Sequence, residues 1–121
     1  MQLMLIGQKW LGVETLKLCL ARGHTVEAVY TPSTDDRLAR LACEHGIAQV
    51  TATRVQAKHV PDGMDLLLCA HAHAFIIGEA RAKARLGALG YHPSLLPRHR
   101  GRDAVRWAIH MREAITGGTV Y

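Results

Sequence analysis

Two short stretches of this 121-residue chain carry side chains able to do chemistry. From Tyr91 to Gly101 the sequence reads YHPSLLPRHRG, a histidine set against prolines and leucines and then a run of basic residues. From Ala70 to Phe75 it reads AHAHAF, with His71 and His73 two apart. His92 is followed at once by Pro93, whose ring disfavours a helical backbone at the preceding residue and so gives the imidazole a defined direction. An imidazole so placed can take or give a proton near neutral pH. On physics alone, a hydrogen-bonded structural histidine accounts for His92 equally well.

The other candidates are weaker. In an extended backbone His71 and His73 would project to one side, but a metal needs at least one more ligand and nothing nearby supplies it. The pair is therefore read as the polar lip of a pocket, with no metal. The turn GQKWLG has glycines five apart, unlike the G-x-G-x-x-G that lets a pyrophosphate approach the backbone. Arg98, His99, Arg100, Arg102, Arg106 and Arg112 crowd the last quarter of the chain. Only Trp107 interleaves an aromatic ring, and its spacing looks like a core position, so nucleic acid is not the expected partner. A solvated basic face and an anion site stay equally open for this cluster.

These stretches need a scaffold, and the chain reads as alternating strands and helices. LMLI (residues 3–6), TVEAVYT, IAQVT, DLLLCA and ALGYH have the apolar runs of strands. Helices are expected from Trp10 to Arg22 with Val13, Leu16 and Leu20 inward, from Asp35 to His45, and from Ile76 to Leu86. Gly23 and Gly46 stand where the first two should stop. Arg54 to Gly63 reads as a loop or short helix. DAVRWAIHM should be a helix with Val105, Ala108 and Ile109 on one face, and TVY a final strand. The sum is an α/β fold: a doubly wound, mostly parallel Rossmann-like sheet with helices on both faces, in one domain over residues 1–121. Such sheets bind ligands beyond the carboxyl ends of their strands, where AHAHAF and YHPSLLPRHRG both fall.

Bulk properties agree. Half-apolar composition (49%) suits a globular core, and a formal charge of +5 suits an anionic ligand. Cys19, Cys43 and Cys69 fall in apolar runs without metal-ligand spacing and are expected to be buried thiols. No leader or membrane-length apolar run is apparent, which places the expected location in the cytoplasm.

YHPSLLPRHRG resembles the signature loop of the folate-dependent formyltransferase superfamily. IGQKWLGVETLKLCLARGHTVEAVYT is similar to the first strand, helix and second strand of those proteins, and GGTVY to the strand after their loop-helix unit. The resemblance implies 10-formyltetrahydrofolate as formyl donor and an acceptor that is a small molecule or water. It implies that His92 is catalytic, that Ser94, Leu95, Leu96 and Pro97 shape the folate site, and that Ala70, His71, Ala72, His73 and Phe75 line the pterin pocket. Two departures stand out. Members acting on amines carry Asn two residues before the histidine, where this chain has Gly90; the hydrolase branch also lacks that Asn. The family's essential Asp lies on a loop beyond the last strand, and no carboxylate here matches it. The chain is thus expected to be the amino-terminal part of a formyltransferase domain. The rival expectation is a non-catalytic folate-binding or interaction module whose exposed last strand could pair with a second copy or a partner.

Overall fold

The computed structural model describes all 121 residues, which divide into two compact units, Met1–Leu89 and Gly90–Tyr121. In the first, strand β1 (Gln2–Gly7) is followed by α1 (Lys9–Ala21), β2 (Thr25–Tyr30), α2 (Arg37–Glu44) and β3 (Ala48–Val50). Then come the short β4 (Arg54–Val55), a 3-10 turn at Ala57–His59, β5 (Leu66–Ala70), β6 (Phe75–Ile76) and α3 (Gly78–Ala82). Strand β7 (Ala88–His92) starts at the end of this unit and runs into the second, which adds α4 (Ala104–His110) and β8 (Thr119–Val120).

The strands of the first unit lie parallel in the order β3-β2-β1-β5, and the chain has the doubly wound α/β architecture its alternation predicts. Side-chain alternation builds one core on each face. Met4, Ile6, Leu67 and Cys69 face Val55, Val60, Met64, Ala80 and Ala84 on one side. Leu3, Leu5, Leu68 and Ala70 face Leu16 and Cys19 of α1 and Leu38 and Ala42 of α2 on the other. Each fully buried Leu among them stabilises the fold by about 1.5–3 kcal/mol. Strand β2 breaks the alternation once. Leu3 pairs with Val26 and Met4 with Ala28, so Glu27 is an extra residue, a bulge. Val26 consequently joins the helix-side core while Ala28 and Tyr30 join the other.

Four expectations need correction. The helix expected over Ile76–Leu86 is only Gly78–Ala82. Its start is lost because Phe75 and Ile76 pair with Arg54 and Val55 as a small parallel ladder, and its tail becomes turns that return Arg85 and Leu86 to Met64 and Asp65. Helix α4 turns Ala104 and Ala108 inward, so Val105, Ile109 and Trp107 are exposed and Trp107 is not a core residue. Of the three thiols only Cys19 is buried: Cys69 is half-buried, and Cys43 is exposed since the short α2 buries the Leu38, Ala39 and Ala42 stripe instead. His71 is not extended: its φ is +59°, which tips its ring toward His73 edge to face with centroids 5.2 Å apart.

Candidate functional site

In the first unit the strand order reverses direction at β1, between β2 and β5, which is where open α/β sheets form their crevice. The ends of β1 and β5 touch there. A Cβ on Gly7 would lie 2.4 Å from the Ala70 carbonyl oxygen, so only glycine allows the approach, and the Gln8 N–H points at that oxygen from 3.4 Å. Ala70 is buried and contributes backbone alone. Lys9 sits at φ +55° with its N–H donating to both Asp36 carboxylate oxygens, at 3.0 and 3.1 Å. Asp36 also caps α2 by accepting from the Leu38 N–H at 2.8 Å.

His71 and His73 rise beside this knot. Burial, then the neighbouring His73 and Lys9, hold the His71 imidazole below its ordinary pKa, while Asp36 pulls the other way. The shift favours the neutral form of His71, which can accept and donate one hydrogen bond each. Ala72 is half-buried, and Phe75 is exposed with the Arg54 guanidinium 5.9 Å above its ring. The sequence did not flag Lys9 or Asp36 here. Asp36 looked like a plain helix start, and its second task of holding the Lys9 amide is invisible in spacing.

The second unit positions His92. Residues 90–92 of β7 pair antiparallel with β8, Tyr91 against Val120 and His92 against Thr119. His92 Nε2 lies 2.9 Å from the carbonyl oxygen of His99. A carbonyl can only accept, so Nε2 carries the proton and Nδ1 of the neutral ring keeps the free lone pair. His99 is held at φ +48°, with its ring Nε2 2.9 Å from Glu113 Oε1. That approach is off the line of a hydrogen bond and acts as a charge contact when the imidazole is protonated. Arg98 reaches the same Glu113 oxygen at 3.5 Å.

The loop between them is braced from within. Ser94 is fully buried and its hydroxyl donates to the Arg98 carbonyl at 2.7 Å, so it shapes the loop and faces no solvent. The Thr119 hydroxyl donates to the Ser94 carbonyl at 2.7 Å and accepts from the Leu96 N–H at 3.1 Å. Leu95 is exposed, Leu96 half-buried, and Pro97 exposed after a cis bond. The structure thus gathers His92 and Ser94 to Pro97 in one braced loop, and Ala70 to Phe75 at the crevice of the first unit. His99, Glu113 and Thr119 were not singled out by sequence as supports; Glu113 lies far from the loop in the chain.

A formyl transferase family profile matches residues 48–121. Over all of this chain, mouse mitochondrial 10-formyltetrahydrofolate dehydrogenase is 32% identical, and over 90% of it human cytosolic 10-formyltetrahydrofolate dehydrogenase is 33% identical. The chain spans 15% and 14% of those proteins' lengths. A solved phosphoribosylglycinamide formyltransferase from Bacillus halodurans shares the fold with a TM-score of 0.79 at 16% identity, covering all of this chain and 71% of that one. No helix of this chain is long and apolar enough to cross a membrane. With the signature loop, the doubly wound sheet and the family profile in agreement, the chain belongs to the formyl transferase family.

Proposed function

We propose that this chain handles 10-formyltetrahydrofolate and passes its formyl group to an acceptor or to water, with His92 as the catalytic residue. The observation that carries this reading is the 2.9 Å contact of His92 Nε2 with the His99 carbonyl, an acceptor that asks Nε2 to carry the proton and leaves Nδ1 as the base. In the reaction a nucleophile adds to the formyl carbon, negative charge gathers on the formyl oxygen, and N10 leaves with a proton. Nδ1 would take the proton from the nucleophile and deliver it to the departing nitrogen. The loop Leu95–Pro97 would give the folate an apolar wall, and the assignment of Ala70, His71, Ala72, His73 and Phe75 to the pterin rests on the family resemblance. The proximity of Arg98 and Arg100, both exposed, suits the folate's carboxylates.

A second reading is a folate-binding module without turnover. It is favoured by the carboxylates of the second unit: Glu113 is engaged by His99 and Arg98, and Asp103 stands beside Arg106, Trp107 and His110 on α4. Neither pairs with His92, and lack of a carboxylate partner lowers rates by roughly a hundredfold to ten-thousandfold. Incubating the chain with 10-formyltetrahydrofolate and measuring formate separates the two. Turnover that His92→Ala abolishes, with folate binding retained, supports the enzyme. Saturable binding without formate supports the module, and no binding at all removes both.

A further inference from the structure

We propose that the Tyr121 hydroxyl is the hydrogen-bond donor to the formyl oxygen in this reaction. The inference rests on the formyl-transfer reading above and deepens it by naming a second residue that touches substrate. Formyl transfer needs a donor where charge develops, and His92 spends Nε2–H on its own loop.

The pairing of β7 with the end of the chain supplies one. Gly90 and Tyr121 exchange both backbone hydrogen bonds, at 2.7 and 2.9 Å, and so stand directly opposite each other. Opposite residues share a face and side chains alternate along a strand, so Gly90, His92, Thr119 and Tyr121 lie on one face. Gly90 has no side chain, and the Tyr121 ring lies across it. A Cβ there would be 2.8 Å from Tyr121 Cζ and 3.1 Å from its Oη. The oxygen end of the phenol is therefore laid over Gly90, one side-chain position from His92. Of the hydroxyls on this face, Thr119 is spent on Ser94 and Leu96, whereas Tyr121 is open to a ligand.

Spacing and chemistry agree. Alternate residues of a strand are about 7 Å apart, so the phenol oxygen laid over Gly90 and the His92 imidazole occupy neighbouring positions on one face. With water as the nucleophile, the new C–O bond forms as the carbonyl π pair moves onto the formyl oxygen, which accepts from the Tyr121 O–H. The pair then returns, the C–N10 bond breaks, and N10 leaves carrying the proton that His92 Nδ1 took from water. Tetrahydrofolate and formic acid result, the acid giving its remaining proton to solvent to become formate, and Tyr121 keeps its own proton throughout. Tyrosine suits the task because it is a neutral donor at physiological pH.

The test is Tyr121→Phe, which keeps the ring over Gly90 and deletes only the hydroxyl. Formate release should fall in kcat by roughly a hundredfold to a thousandfold, with KM for 10-formyltetrahydrofolate little changed. Equal kcat in parent and Y121F would overturn the assignment while leaving the formyl-transfer reading intact. A parent that releases no formate would instead count against that reading. A measurement free of turnover decides the donor in that event: the infrared carbonyl band of a bound, non-hydrolysable N10-formyl folate analogue labelled with ¹³C. It should lie lower in the parent than in Y121F, and identical bands would overturn the proposal.

Discussion

The ring of His99 rests 2.9 Å from Glu113, while the carbonyl of the same His99 receives the Nε2–H of His92. One residue in a left-handed backbone thus links a carboxylate after α4 to the protonation pattern of the loop histidine. Glu113 acts on His92 only through that backbone, which makes it a positioning residue.

Glu113→Gln should therefore loosen the loop without emptying the core. We expect a loss of about 1 kcal/mol in urea unfolding, in keeping with a partly buried charged contact. The ¹⁵N shifts of His92 should change from a single Nε2–H form toward a tautomer mixture. An unchanged His92 spectrum would separate Glu113 from the histidine.

Asp36 holds the Lys9 amide and the first turn of α2 together. Asp36→Ala should lower stability by about 1–2 kcal/mol, with Asp36→Asn milder because asparagine still caps. In the Asn variant, the His71 titration followed by NMR should move down, since Asp36 is the group that raises it.

Gly7 is a stricter position. A methyl group there meets the Ala70 carbonyl oxygen at 2.4 Å, and backbone on both sides has little room to yield. Gly7→Ala should cost about 3 kcal/mol or more, read as a lowered midpoint of thermal unfolding.

The thiols should separate by reactivity. Burial pushes Cys69 up to about 11 and also raises Cys19, while Cys43 is exposed on α2. Iodoacetamide at pH 8 should label Cys43 first, the half-buried Cys69 with its raised pKa more slowly, and the buried Cys19 only after denaturant is added. Peptide mass mapping reads the order directly, and labelling of Cys19 ahead of Cys43 would overturn it.

Asp65 gives the fold an acid limit. The Gln2 N–H at 2.9 Å, followed by the Arg85 side chain, holds its carboxyl below the ordinary 3.8. A depressed carboxyl stabilises the fold fully above its unfolded pKa, and that contribution fades as pH falls through the lower folded one. Stability measured by urea unfolding should drop below about pH 4 in the parent and less steeply in Asp65→Asn.

Much of this was written plainly in the chain. LMLI and DLLLCA became β1 and β5 because uninterrupted apolar runs suit strands covered on both faces. The stops at Gly23 and Gly46 were legible because glycine takes the left-handed backbone past a helix end, and the loop from His92 to Pro97 because prolines bar helix and strand there. Helix α3 was not, because the pairing of Phe75–Ile76 with Arg54–Val55 is nonlocal and overrode the Ala- and Arg-rich pattern. Trp107 misled because a helix shows its periodicity but not which face finds a partner. Among the site's supports, Glu113 stayed hidden since its value lies in a contact fourteen residues away from His99.

The bulge at Glu27 has a consequence for how this scaffold tolerates change. Because the extra residue lies between the Leu3–Val26 and Met4–Ala28 pairs, a strand lacking it would carry Val26 and Ala28 to the same two cores in unbroken alternation. Deleting Glu27 would therefore leave both halves of β2 seated, as would substitutions at Glu27, whose side chain faces water. The strand is thus free in both length and composition at this one position.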